Sequence, residues 1–241
     1  MSKNSIINNF TIEEVRNFWD SVANVYESNN EQFDDIHLQR FQESVKYLNL
    51  KPGQKILNIW SRTGLAIQYL RQKCPNIKIS NLEVAPKFIG IAQKKFPREK
   101  FQETNLGKLP FEDNYFDYIL SLETLEHTPK PLFFLEELYR TIKPNGLLVM
   151  SLPPATAELP LRIYEYFFAN HGEGPHRFLS SKKVKNLLSI AGFELILHKG
   201  TLLIPIGPKW LKILGEKIIN KLQNTPIREL GIRQFYICKK R

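Results

Sequence analysis

Cysteine is scarce: Cys74 and Cys238 are the only two in 241 residues, and neither belongs to a C-x-x-C pair. That excludes the common zinc and dithiol patterns and suits small buried thiols in a reducing cytosol, with no metal expected. No apolar run reaches the roughly 18 residues that cross a bilayer. The N-terminus, MSKNSIINNF, is polar and lacks the apolar centre of a secretory leader. Together these features predict a cytoplasmic protein. Internal repeats and low-complexity tracts are absent, which excludes a solenoid or a disordered array. Acidic residues are in deficit: 24 Asp and Glu against 34 Lys and Arg give a net charge of +10. Such a surplus reads first as a lysine-rich solvated surface, and otherwise favours anionic partners: nucleic acid, acidic lipid or a phosphorylated ligand. The lysines are scattered through the chain and no RNA- or DNA-binding motif occurs, so nucleic acid is not expected as a partner.

What is present is an alternation of strand and helix patterns. Thr11-Ile12-Glu13-Glu14 has capping-box spacing and predicts a helix to about Glu27. A second helix is predicted over about 37–48. Strands are predicted over 54–60, 77–84, 99–104, 115–122 and 147–152, with helices between them to about Gln72, from Pro86, and over about 131–142. This alternation argues for a parallel sheet with helices on both faces. Beyond Pro153 the pattern loosens. Residues 155–170 read as a helical, aromatic segment and 171–177 as a polar loop. Ser180 caps a helix ended by Gly192, and strands at 193–200 and 232–239 flank a lysine-bearing helix at about 208–223. The organisation expected is one domain. It comprises an N-terminal helical extension (1–50), a core (51–153), a cap with the sixth strand (154–230) and a last strand (231–241).

The stretch ILNIWSRTGL (56–65) has the shape of a strand feeding a nucleotide-binding turn. Such turns are normally glycine-rich, so that the backbone can approach a ligand. Only Gly64 is present here, with Trp60 and Arg62 where small residues are expected.

Further along, LPFEDNYFDYILSLETLEHTPKP (109–131) and LEELYRTIKPNGLLVMSLP (135–153) carry a longer pattern. It resembles the class I S-adenosylmethionine-dependent methyltransferases, in particular the small-molecule group that includes ubiquinone-biosynthesis-type enzymes. Leu109, Pro110, Phe111, Phe116, Asp117, Leu125, Glu126, His127, Lys143, Pro144 and Gly146 all fall in place. The resemblance spans about residues 12–200. It implies a doubly wound, mostly parallel seven-stranded α/β sheet of the Rossmann-like type, with the last strand inserted antiparallel near an edge. It also implies S-adenosylmethionine as cofactor, and it places cofactor contacts at Asn58, Trp60, Arg62, Gly64, Glu83, Asn105 and Leu122.

Against the family turn D-x-G-x-G-x-G, the acidic residue is Asn58 and two glycines are Trp60 and Arg62. The glycine two before Glu83 is Asn81, and the acidic residue after strand three is Asn105. Glu83 matches the residue that holds the ribose, or is a polar strand end. Trp60 is a core aromatic or fills the pocket. Arg62 repels the sulfonium or pairs with the cofactor's carboxylate. These departures imply weakened cofactor binding. His127 follows strand four, at the edge where open α/β sheets bind ligands. It is either a general base titrating near neutrality or a helix-start residue bonded to backbone. His171, Glu173, His176 and Arg177 read as substrate contacts or loop bracing, and Tyr164, Tyr166, Phe167 and Phe168 as cap core.

The function implied is methyl transfer to a small or lipid-linked acceptor. The alternative is a catalytically inactive relative acting as scaffold or regulatory partner of another protein. In KWLKILGEKIINKL, Leu211, Leu214, Ile218 and Leu222 share one helical face, expected to pack onto the domain or a partner subunit. The lysines off that stripe leave peripheral contact with an anionic membrane as a second use.

Overall fold

The computed structural model describes residues 6–31, 34–161 and 172–241. Its strands are β1 (Lys55–Ile59), β2 (Lys78–Glu83), β3 (Phe101–Glu103), β4 (Phe116–Leu122), β5 (Ile142–Leu152), β6 (Phe193–Thr201) and β7 (Arg233–Lys240). They form one seven-stranded sheet in the order β3-β2-β1-β4-β5-β7-β6. β1 pairs in parallel with both β2 and β4, and β7 runs antiparallel between β5 and β6. The expected topology, including the inserted last strand, is therefore the one observed. Central β1 and β4 are buried almost throughout, because helices cover both faces of a parallel sheet. The chain reverses its direction of growth between β1 and β4, and ligands of such sheets bind at that switch point.

The helices are α1 (Ile12–Val22), α2 (Tyr26–Glu31), α3 (Asp34–Ser44), α4 (Ala66–Lys73), α5 (Pro86–Lys95), α6 (Pro131–Thr141), α7 (Ser181–Ile190) and α8 (Lys209–Lys221). α1 opens with the capping box read from sequence, with Thr11 and Glu14 bonded reciprocally. It ends sooner than expected, at Val22, and the chain resumes as α2. That break turns Trp19 and Tyr26 inward, both nearly fully buried, against the carboxyl ends of the strands. Pro86 starts α5, Ser180 caps α7, and Gly192 ends α7 at φ 100°. The aromatic segment at 164–168 and His171 lie outside the described residues.

α8 departs from its predicted orientation. Gly215 and Ile219 face inward, while Leu214 and Ile218 of the expected inner stripe are exposed. The cause is Gly215: a Cβ there would lie 2.9 Å from the Cβ of Ile204, so only glycine lets the helix seat on this side. Trp210, Ile213, Leu214 and Ile218 consequently form an outward apolar stripe beside exposed Lys209, Lys217 and Lys221.

Candidate active site

The turn after β1 keeps a glycine backbone without the glycines. φ is 58° at Trp60, 51° at Arg62 and 83° at Gly64. A side chain in this left-handed region costs roughly 1–2 kcal/mol per residue. Two backbone–backbone hydrogen bonds help hold the turn: Ser61 N–H donates to the Leu82 carbonyl at 2.9 Å, and Gly64 N–H to the Ser61 carbonyl at 2.9 Å. A Cβ on Gly64 would lie 2.9 Å from the Phe96 ring, so glycine is required there on packing grounds too.

Asn58 turns out to be a sheet residue. Its Nδ2 donates to Asn81 Oδ1 at 2.9 Å, and Asn81 Nδ2 donates to the Lys100 carbonyl at 3.1 Å. The two departures from the family pattern on neighbouring strands thus satisfy each other. Both amides are buried and in direct register.

Glu83 ends β2 with no exposed surface, and its carboxylate is committed to the backbone. It accepts from Arg62 N at 2.6 Å, Val84 N at 2.8 Å and Ala85 N at 3.0 Å. Burial pushes its pKa up, while Arg62 and the amides pull it down.

The indole of Trp60 is 3% exposed, edge-on to Trp19 and His127. The Arg62 guanidinium stacks 3.7 Å from the Trp19 ring and 4.1 Å from the Trp60 ring. The space left directly against the turn, by Asn58, Ser61 and Leu122, is about 20 Å³. Trp60, Arg62 and Trp19 pack together over the bed that the resemblance assigns to S-adenosylmethionine and narrow it. Asn105 is exposed and caps its own loop, accepting from Gly107 N at 2.9 Å.

Beside the closed turn lies a much larger cavity of about 290 Å³, over the carboxyl ends of β4 and β5. Its polar lining includes His37, Arg40, Arg62, Glu123, His127, Glu173 and Arg233; Leu161, Phe178, Ile206 and Ile232 contribute apolar wall. Arg40, Glu123 and Arg233 form a network that the motifs did not reveal. Arg40 Nη1 donates to Glu123 Oε2 at 2.7 Å, and Arg233 Nε donates to Oε1 of the same carboxylate. The two guanidiniums hold the Glu123 pKa down to about 2. Arg40 also donates to the Tyr26 hydroxyl at 2.9 Å. Burial and the Arg40 charge push His37 down to about 2.

His127 is 1% exposed, and its Nδ1 donates to the Pro175 carbonyl at 2.9 Å. This fixes the neutral tautomer with Nε2 as acceptor. Burial and the nearby Arg62 charge push its pKa down to about 3, so of the two readings of His127 the backbone-bonded residue is the one observed and the base titrating near neutrality is not. His176 and Arg177 do not line the cavity. His176 Nδ1 bonds the Gly174 carbonyl at 2.8 Å, and exposed Arg177 reaches Asn8 at 3.4 Å. Both brace the loop, while their neighbour Glu173 lines the cavity. Among the described residues no group of three or more His, Cys, Asp or Glu side chains could hold a metal ion.

Comparison with known proteins agrees with the fold. Residues 57–150 match a family described as a methyltransferase domain. The biotin biosynthesis bifunctional protein BioHC of Teredinibacter turnerae is 28% identical over 200 residues, 74% of this chain and 34% of that protein. The chain thus spans about a third of that relative's length. The demethylmenaquinone methyltransferase of Lysinibacillus sphaericus is 24% identical over 78% of this chain and 90% of its own. Among solved structures, a SAM-dependent methyltransferase from Thermotoga maritima superposes with a TM-score of 0.67 at 19% identity, covering 94% of this chain and 99% of that one.

Proposed function

We propose that this chain, which belongs to the class I S-adenosylmethionine-dependent methyltransferases, methylates a small or lipid-linked acceptor held in the 290 Å³ cavity. The observation that carries this reading is the cavity itself. It sits at the switch point of the sheet, adjoins the turn, and sets a few convergent polar groups in apolar walls. The acceptor side rests on this chain's own residues. Neutral His127 presents Nε2 to the cavity and orients a hydroxyl or N–H of the acceptor. With a pKa of about 3 it positions the group and is too weak a base to strip it.

The cavity mouth favours an acceptor of lipid character. Pro205 and exposed Ile206 line it, and they lead directly into α8 with its outward apolar stripe and lysines. Such a face rests on an anionic membrane. No helix among the described residues is long and apolar enough to cross one. The picture is a cytoplasmic protein at a membrane surface. The Lysinibacillus relative is named for demethylmenaquinone, and an acceptor of that kind suits this cavity.

A second reading has one observation in its favour: Trp19, Trp60 and Arg62 narrow the cofactor bed. On that reading the chain is a folded, inactive partner of another protein. Incubation with methyl-labelled S-adenosylmethionine and demethylmenaquinone in anionic vesicles separates the two. Label in the organic extract supports methyl transfer to lipid. Absence of label, together with no cofactor binding by calorimetry, supports the inactive partner.

A further inference from the structure

One cation of the cavity lining, Arg62, has no carboxylate bonded to its side chain among the described residues. Arg62 is only 9% exposed, and its Nη1 is buried without a hydrogen-bond partner. The nearest acid along the chain fold, Glu83, has its oxygens bonded to backbone amides of Arg62, Val84 and Ala85. Among the described residues no carboxylate pairs with the Arg62 side chain; Glu83 and Glu173 act on it only at longer range. Arg40 and Arg233, the other cations of the cavity, share Glu123. Three guanidiniums thus face Glu123 and Glu173, while His37 and His127 are neutral. The Trp19 and Trp60 rings stabilise the Arg62 cation through their faces, but they offer no acceptor to its N–H groups. A buried charge without a hydrogen-bonding counter-ion is costly, and chains retain one where a ligand completes it.

We infer that Arg62 is the anion anchor of the 290 Å³ cavity, and that its ligand is an amphipathic molecule carrying one carboxylate or phosphate on an apolar body. The anionic head meets the Arg62 guanidinium, and the apolar body lies along Phe178 and Ile206 toward the mouth. Guanidinium suits both head groups because its planar fork bonds two oxygens at once. The anion can belong to the methyl acceptor or be the carboxylate of the cofactor. The site stands on the buried geometry. Only the description of its ligand as acceptor rests on the methyl-transfer reading, so anion binding without methyl transfer would leave the site in place.

The test compares octanoate, octyl phosphate and octanol, which share a chain and differ in head group. Binding is followed by calorimetry and by the fluorescence of Trp19 and Trp60. Wild type is expected to bind both anions at least about tenfold more tightly than octanol, the lower bound for a hydrogen bond to a charged group. In Arg62→Met that preference should fall below about twofold, with octanol still bound as before. Unchanged octanol binding certifies that the variant is folded and its cavity intact. Equal affinity for the three probes in wild type, or an anion preference that survives Arg62→Met, overturns the proposal. Repeating the titration with saturating S-adenosylhomocysteine identifies the source. Simultaneous binding assigns the anion to the acceptor, and competition that Arg62→Met weakens for both ligands assigns it to the cofactor.

Discussion

Replacing Glu123 by Gln removes the one carboxylate that two buried guanidiniums share, while keeping its size and its left-handed backbone at φ 52°. Its pKa stands at about 2 against an ordinary 4.5, which corresponds to roughly 3 kcal/mol of stability at neutral pH. Breaking a buried pair from one side costs about 3–5 kcal/mol by an independent route, because it strands the other charge. The two figures agree, so Glu123→Gln should lose about 3 kcal/mol in urea unfolding at pH 7. For a chain of this size that corresponds to a melting temperature roughly 6–12 °C lower. The sign with pH is that of a depressed carboxylate. Its stabilisation is complete above pH 4.5 and is lost as pH falls toward 2. The gap between wild type and variant should therefore narrow below pH 4.5. A loss under about 1 kcal/mol at pH 7, typical of an exposed pair, would refute the reasoning.

Three further outcomes are expected. His37 and His127, with pKa values lowered from 6.5 to about 2 and about 3, stabilise the fold fully above pH 6.5. Each should cost roughly 1.4 kcal/mol per pH unit below it, and an imidazole NMR signal from either that titrates between pH 6 and 7 would contradict this. Asn58→Asp sets a carboxylate against Asn81 Oδ1 and should lose about 1–3 kcal/mol in urea unfolding, partly regained in the double variant with Asn81→Gly. Wild type should float with anionic vesicles at low salt, and Trp210→Ser with Ile213→Ser should not; equal flotation of both would remove the membrane face from the account.

The sheet was legible because its signals are local. Apolar runs mark β1, β4 and β5, Pro86 and Ser180 mark helix starts, and the LPF…LEH pattern brackets β4 and the turn beyond it. The strand-to-helix turn was legible too, since Asn58, Thr63 and Gly64 suit its shape. Residue roles were less so, because they depend on partners distant in sequence. Asn58 reads as a weakened cofactor ligand until Asn81 is found across the strands. The Arg40–Glu123–Arg233 network joins a helix, a loop and the last strand, and no spacing announces it. Glu123 alone carried a signal: it sits just past β4, at the edge where such sheets bind ligands. Periodicity placed Leu214 and Ile218 on one face of α8 but could not say that Gly215 turns that face outward.

Calorimetric titration of wild type and Trp60→Gly with S-adenosylhomocysteine bears most directly on the central claim, that a family cofactor bed survives here but is narrowed by its own side chains. At φ 58° glycine is the unstrained residue, and the indole it removes is almost wholly buried beside the turn. The account predicts weak binding by wild type and at least about tenfold tighter binding by Trp60→Gly, a gain of roughly 1.4 kcal/mol or more. Micromolar binding by wild type that Trp60→Gly leaves unchanged or weakens would contradict it.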